Sequence, residues 1–442
     1  MNTFPKGGVH PQENKLAKHQ AFESFPLPKQ ATVFLGQHLG APATAVVQKG
    51  DVVKVGQLIG KAEAFICANV HSPVSGTVAK IDMIPDITGY AKPAIVIDVE
   101  GDTWMENIDT SSDLKTEITL DKQAIIDRMK ECGIVGLGGA CFPTHVKYML
   151  KPEQKVDFLL INAAECEPYI TTDYRLLMER ADQCLVGIQA LLIASGAPIA
   201  CIGIESNKSD AIQLLKEKTK RFSNIRVVKL KTKYPQGAEK QLIKAITGRE
   251  VPNGKLPIDV KCIVNNLTTT YAVYEAVQKN KPIVEIFTTI SGKKQENLKN
   301  YVVRIGTPID DILNTVGIPQ NTGKIISGGP MMGKAMTNPH SFIVKGMSSI
   351  LFMDETESVR KPMQNCIRCG KCVAACPMGL QPLKLQVFAE LQRYEDCENF
   401  GIMNCIECGC CQFTCPAYRP LLDYIRVGKN KTGALIRSRA KK

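Results

Sequence analysis

The stretch CIRCGKCVAACP (residues 366–377) recurs as CIECGCCQFTCP (residues 405–416), and this doubled frame decides how the C-terminal part of the chain is built. Cys366, Cys369, Cys372 and Cys376 follow the spacing C-x2-C-x2-C-x3-C and are closed by Pro377. Cys405, Cys408, Cys411 and Cys415 repeat it and are closed by Pro416. Three thiolates at such intervals wrap a loop around one multi-iron core, and the fourth, opening the next helix, reaches back to the neighbouring core. Cys366, Cys369, Cys372 and Cys415 are therefore expected to hold one [4Fe–4S] cluster, and Cys405, Cys408, Cys411 and Cys376 a second. Two clusters in one small module are placed to pass single electrons, so electron transfer is the expected task.

Structural zinc also favours four cysteines, but zinc ribbons use paired C-x2-C knuckles and leave the third and fourth cysteines of each frame without a place. Disulfides fit poorly at this spacing, and the sequence opens with no export-signal pattern. The 17 cysteines are thus expected in a reducing compartment. Cys397 and Cys410 lie outside the frame and read as core thiols or neighbours of the clusters. Cys67, Cys132, Cys141, Cys166, Cys184, Cys201 and Cys262 are scattered, as buried apolar fillers are.

With 442 residues the chain is long enough for about three domains, and 44% hydrophobic with 22% charged residues describes an ordinary globular protein. Cys184 to Ile204 carries no charge, which meets the length of a membrane span. It also contains Gln189, Ser195 and the turn Gly196-Ala197-Pro198, so helix, turn and buried strand are expected instead. The formal charge is +12, and two clusters at about −2 each bring it to roughly +8. The excess gathers in Arg426, Lys429, Lys431, Arg437, Arg439, Lys441 and Lys442, with no acid after Asp423. Such an end reads as a solvated tail, or as a surface for anionic lipid or an acidic partner. No nucleic-acid motif accompanies it.

From about residue 31 to 100 the pattern is one of short strands, with Gly50–Gly60 alternating between glycine turns and Val70–Val78 following in the same style. This resembles the barrel-sandwich of biotinyl and lipoyl carriers. Ala64 to Asn69, where those carriers present a lysine, has none, so a structural or docking module is expected. From Asp121 to Asn280 helix and strand alternate, the signature of a mostly parallel sheet. Helices are expected at 121–132, 173–195 (capped by Thr171 or Thr172), 209–220 and 237–247. Strands are expected at 156–161, 199–204, 225–230 and 261–264. Short strands return from Pro282. The boundaries so read are 1–115, 116–280, 281–355 and 356–425, with a basic tail at 426–442.

The glycine-rich run GIVGLGGACFPT (133–144) lies between two helices. Glycine lets backbone amides approach a phosphate, Thr144 can cap the following helix, and Lys147 adds a charge. Three further segments end strands or open helices: NAAECEP (162–168), YPQGAE (234–239) and Asn265-Asn266 with Thr268. In a parallel sheet, loops at carboxyl strand ends gather into one crevice. Singly these are a hinge, a turn or a cap; together, beside two clusters, they point to a flavin site. The six histidines form no ligand pair.

The opening FPKGGVHP (4–11) with ENK (13–15) resembles the N-terminal signature of the RnfC family, a component of the Rnf membrane electron-transport complex. The α/β core is similar to the flavin-bearing, NADH-binding subunit of respiratory complex I, and the likeness runs from Phe4 to Pro416. It implies a multidomain α/β fold: an N-terminal barrel-sandwich, a Rossmann-like flavin and NAD domain, a β-grasp domain bridging flavin and clusters, and a helical ferredoxin-like module. It implies FMN held by Gly136, Gly138, Gly139, Lys147, Asn162, Glu165, Tyr234, Gly237, Asn265, Asn266 and Thr268. It places NAD(H) with Phe142, Glu167, Glu239 and Lys255. The implied activity is hydride exchange between NAD(H) and FMN with single electrons passing through two clusters. The implied setting is the cytoplasmic face of a bacterial cell membrane, bound peripherally to other Rnf subunits, with ferredoxin reached through the complex. Two departures from complex I stand out: Ala164 replaces a usual acidic residue, and two clusters replace one. A soluble flavin and iron–sulfur reductase, of the cobalamin-reductase kind, is the enzyme alternative; the barrel and the opening signature argue against it. A cluster-bearing docking subunit without its own flavin is the other alternative, favoured only by Ala164.

Overall fold

The computed structural model describes residues 1–440. At its centre the strands Phe158–Ala163, Ala200–Glu205, Ile225–Leu230 and Cys262–Asn266 are all parallel. The chain lays down the first three outward in one direction, then returns to pair the fourth with the other side of Phe158–Ala163. That reversal opens a crevice above the carboxyl ends of the first and fourth strands. The two inner strands, Phe158–Ala163 and Ala200–Glu205, are mostly apolar because helices cover both faces: Leu159, Leu160, Ile161, Ile202 and Ile204 are all buried. Cys184 to Ile204 is the end of helix Thr172–Ser195, a left-handed turn at Gly196, and the strand Ala200–Glu205. Among the described residues no helix is long and apolar enough to cross a membrane.

Two expected caps are corrected. Thr171 precedes helix Thr172–Ser195 but makes no side-chain cap. Its hydroxyl is drawn instead to Asn300 Oδ1 in the neighbouring sheet (2.9 Å), and Glu165 Oε1 takes the cap, accepting from the Asp173 amide at 2.7 Å. Thr144 opens a 3-10 turn, Thr144–Tyr148, with no side-chain cap; its hydroxyl is buried without a partner.

The barrel is built of an antiparallel sheet, Gln30–Phe34, Ala91–Gly101, Ser75–Pro85 and Val52–Val53, closed by a smaller one, Thr44–Ala45, Leu58–Lys61 and Val70–His71. Alternation puts Val33, Val53, Ile59, Ile95 and Ile97 inside. Next comes a six-stranded mixed sheet, five strands of it between Glu285 and Asp354 and the sixth, Phe22–Ser24, at one edge; the helix Ile309–Val316 accompanies it. In the C-terminal module the helices Pro382–Glu390, Tyr394–Asn399 and Leu421–Ala440 enclose Leu385, Cys397, Ile402 and Ile425.

The expected solvated tail is a helix as far as Ala440. Arg426 and Lys429 pair with Glu407 (3.3 and 2.9 Å), and Arg439 pairs with Glu398 (2.7 Å). The neutralising acids come from earlier in the module, so a local charge count misses them. Lys441 and Lys442 lie outside the described residues.

The first 20 residues leave the barrel and run as an arm through the middle of the molecule. Asn2 bridges Leu230 at the edge of the parallel sheet, and Val9 forms an antiparallel bridge with Tyr234. The Gly8 amide donates to the Ala375 carbonyl (2.9 Å), inside the first cysteine frame. Gly7 has φ +65°, and a Cβ there would lie 2.5 Å from the Cys376 carbonyl carbon, so only glycine passes.

Candidate functional site

The crevice at the strand ends is assembled from the glycine-rich run and both switch-point strands. The Leu137 amide donates to Thr269 Oγ1 (2.8 Å), and the Gly136 amide to the Phe142 carbonyl (2.9 Å). These bonds lay the run across the N-terminus of helix Leu267–Lys279. Gly138 rests on Asn266: a Cβ there would stand 2.6 Å from the Asn266 amide group. Gly138 and Gly139 are exposed, so their backbone is open to a ligand. Asn162, one strand over, donates to the Gly237 carbonyl (2.7 Å) and accepts from the Ala164 amide (3.1 Å), tying the strand end to the loop before helix Glu239–Thr247. Lys147 donates to the Val264 carbonyl (2.8 Å) and pairs with Glu239 at 3.6 Å. Asn265 donates to the Tyr148 hydroxyl beneath.

Two buried groups that sequence reading passed over hold this set in place. Asp173 accepts from Asn266 Nδ2 (2.8 Å) and Thr268 Oγ1 (2.7 Å). Burial, together with nearby Glu165, pushes its carboxyl up to about 6. Lys15 donates to the carbonyls of Glu165 (2.7 Å), Glu167 (2.9 Å) and Ile170 (2.6 Å), stapling the loop that follows the strand. Burial lowers its pKa, and Glu165, 3.6 Å away, opposes that. Glu165 itself holds φ +47° and keeps its second oxygen, Oε2, buried without a hydrogen-bond partner. An exposed glycine backbone beside a helix N-terminus, with the Lys147 ammonium near it, suits a phosphorylated ligand.

Ala164 is fully buried, and its carbonyl accepts from Lys208 Nζ (2.7 Å). Glu167, expected beside a dinucleotide, is engaged elsewhere. It accepts from the Met332 amide (2.8 Å), the Met331 amide (3.1 Å) and the Tyr234 hydroxyl (3.4 Å). Burial pushes its carboxyl up to about 7. Tyr234, expected at the flavin, is buried and donates to the Cys408 carbonyl (2.8 Å). Lys255 sits in an exposed turn closed by its own amide on Pro252 (3.2 Å), outside this network. Phe142 is half-buried at the end of the glycine run.

Beyond Tyr234 lie the cysteines, in two environments. Cys376, Cys405, Cys408 and Cys411 line one cavity together with Leu385 and Ile425. The first four are electrostatic neighbours, and Cys415 is a neighbour of Cys372. The fourth cysteine of each frame is thus turned toward the other frame. Among the described residues no three His, Cys, Asp or Glu side chains close on a point as a single ion requires; the thiols border a space instead. Cys410, fully buried, packs with Tyr234 and Cys408. Cys366 and Cys369 are exposed.

The comparisons follow the same division. Residues 3–102 match the RnfC barrel sandwich hybrid domain, 129–275 the Nuo51 FMN-binding domain, and 330–381 a 4Fe-4S dicluster domain. A structure of NAD+-reducing [NiFe]-hydrogenase in the H2-reduced state superposes with a TM-score of 0.50 at 18% identity, over 70% of this chain and 63% of that one; this is a likeness of fold. The C subunit of the Na(+)-translocating ferredoxin:NAD(+) oxidoreductase complex of Acetobacterium woodii is 40% identical over 96% of both chains. The C subunit of the proton-translocating complex of Clostridium ljungdahlii is 44% identical over 97% of this chain and 94% of its own. Its length matched almost end to end, with barrel, flavin and cluster domains in the same order, this chain belongs to the RnfC family.

Proposed function

We propose that this chain is the peripheral electron-transfer subunit of an ion-translocating ferredoxin:NAD+ oxidoreductase complex, bound to the complex on the cytoplasmic side of the membrane. It would exchange hydride with NAD(H) at an FMN and pass single electrons through two [4Fe–4S] clusters. Bound flavin accepts a two-electron hydride and releases electrons singly, and iron–sulfur clusters carry them one at a time. The chain's own residues position and insulate. Gly136, Gly138 and Gly139 offer backbone, Asn162, Asn265, Asn266 and Gly237 fix the strand ends, Lys147 adds positive charge, and Glu165, paired with Lys15, braces the loop at the first strand's end. Phe142 and Glu239, at the rim, are assigned to the dinucleotide; Lys255 stands further out. The mixed sheet, read as a β-grasp, meets the crevice through Met331 and Met332.

The observation that carries the reading is the Tyr234 hydroxyl bonded to the Cys408 carbonyl at 2.8 Å, beside Glu167. It joins the strand-end crevice to the buried cysteine set with no domain gap between them. The buried set would accordingly hold the first acceptor, and the other set, Cys366, Cys369, Cys372 and Cys415, of which the first two are exposed, would face the partner. The test is anaerobic reconstitution with iron, sulfide and FMN, then NADH titration followed by visible absorbance and EPR. Flavin bleaching with reduced-cluster signals is expected. Reducible clusters with no retained flavin and no response to NADH would leave a cluster-bearing docking subunit.

A further inference from the structure

We infer that Asp173 is a positioning residue that sets the orientation of Asn266 beneath the glycine-rich run, and thereby the affinity of the crevice for FMN. The inference rests on the proposed flavin reading and assigns a residue that neither the motifs nor the family likeness singled out.

The argument is one of donors and acceptors. Asn266 Oδ1 accepts from the Thr269 amide (3.2 Å), which caps helix Leu267–Lys279. Its Nδ2 donates one hydrogen to Asp173 Oδ2 (2.8 Å). An amide carries two N–H bonds on that nitrogen, so the second is left over. Because Gly138 lies directly against this amide, the remaining N–H belongs to the surface that the glycine run encloses. Were the amide turned over, an N–H would face the Thr269 N–H and the cap would be lost. Asp173 prevents this, since an ionised carboxylate accepts and cannot donate. Its other oxygen takes the Thr268 hydroxyl (2.7 Å), so both side chains at the helix start are fixed by one acid. The acid is itself held by the backbone: its amide donates to Glu165 Oε1 (2.7 Å), which links the fourth strand's end to the first strand's loop. Lys208, buried close by, supplies compensating charge.

The experiment uses the full-length protein loaded with clusters and titrated with FMN, with flavin fluorescence quenching as the readout and thermal unfolding of the flavin-free protein run in parallel. Asn266→Ala tests the underlying reading and is expected to weaken FMN about tenfold or more. Asp173→Ala removes the acceptor that holds Asn266 Nδ2 and is expected to weaken FMN by a similar factor. The exchanged pair Asp173→Asn with Asn266→Asp restores a donor facing an acceptor and keeps the helix cap, but it removes the spare N–H. The exchanged pair is therefore expected to recover the unfolding temperature and not the FMN affinity. Unchanged FMN affinity in Asp173→Ala while Asn266→Ala is impaired would overturn the positioning role alone. So would recovery of affinity in the exchanged pair, because the acid would then be a packing element only. Wild-type protein that binds no FMN would overturn the flavin reading and this inference together.

Discussion

Cys408 lies buried beneath the Tyr234 hydroxyl, with the Met331 carbonyl packed against Gly409 beside it, whereas Cys369, the same position of the other frame, is exposed to solvent. The two frames share their spacing and their closing proline, and differ locally where Lys371 is exposed and its counterpart Cys410 is fully buried. What separates them is the company each keeps. One is covered by the strand-end crevice, the N-terminal arm and the loop of the mixed sheet; the other looks outward from the module. Burial and hydrogen bonding to the ligand backbone tune a cluster's potential. Repeated motifs therefore specify two similar cysteine sets, and tertiary placement makes one internal and the other external.

The largest expected effect comes from removing one ligand on each side. Cys408→Ser should halve the cluster iron and stop NADH from reducing the remaining centre. Cys369→Ser should lose as much iron yet leave NADH-dependent reduction of the internal centre, seen by EPR. The reverse result would break the assignment of inner and outer. Next, Lys15→Met leaves three buried carbonyls unsatisfied, which costs on the order of 3 kcal/mol or more. It should lower the unfolding temperature by several degrees and weaken flavin retention, without changing the exposed centre. Tyr234→Phe removes one donor from the internal frame. It should shift that centre's potential by tens of millivolts, the one-electron equivalent of about 1 kcal/mol, and leave the external one in place; equal shifts in both would dissolve the contrast.

The smallest effect concerns pH. Burial raises Asp173 to about 6 and Glu205 to about 7. Carboxyls so raised bind protons in the folded chain that the unfolded chain has already lost. Their stabilising contribution is complete below about pH 4 and declines as the pH rises through 6 and 7. Glu205→Gln should flatten the fall in stability between pH 5 and 8 by about 1 kcal/mol. A profile unchanged by the substitution would show that the Lys208 ion pair, at 3.8 Å, already cancels the cost.

Much of this was legible in the residues. Helix Lys122–Glu131 and strand Ile225–Leu230 fell where periodicity and caps put them, because each is settled by its own side chains. The glycine run and the strand-end asparagines were recognisable since their chemistry is local. Glu167 and Tyr234 read as cofactor contacts, and the structure shows a further engagement, with the loop of the mixed sheet and the cysteine module. That engagement depends on Met331 and Cys408, which are 164 and 174 residues away. Asp173 escaped notice because an acid in a first helical turn is ordinary, and only its neighbours across the crevice make it otherwise. The basic end misled for the same reason: its acids, Glu395, Glu398 and Glu407, come earlier in the chain.

The arm carries a consequence for how the molecule is made. Gly8 leaves the ribosome long before its partner Ala375. The Lys15 staple is complete once residue 170 is available, but Gly7 and the Gly8 amide have nothing to close on until the first cysteine frame exists. Synthesis thus returns late to residues it made early, and the seam between crevice and clusters is sealed only in a chain that already possesses its onward route for electrons.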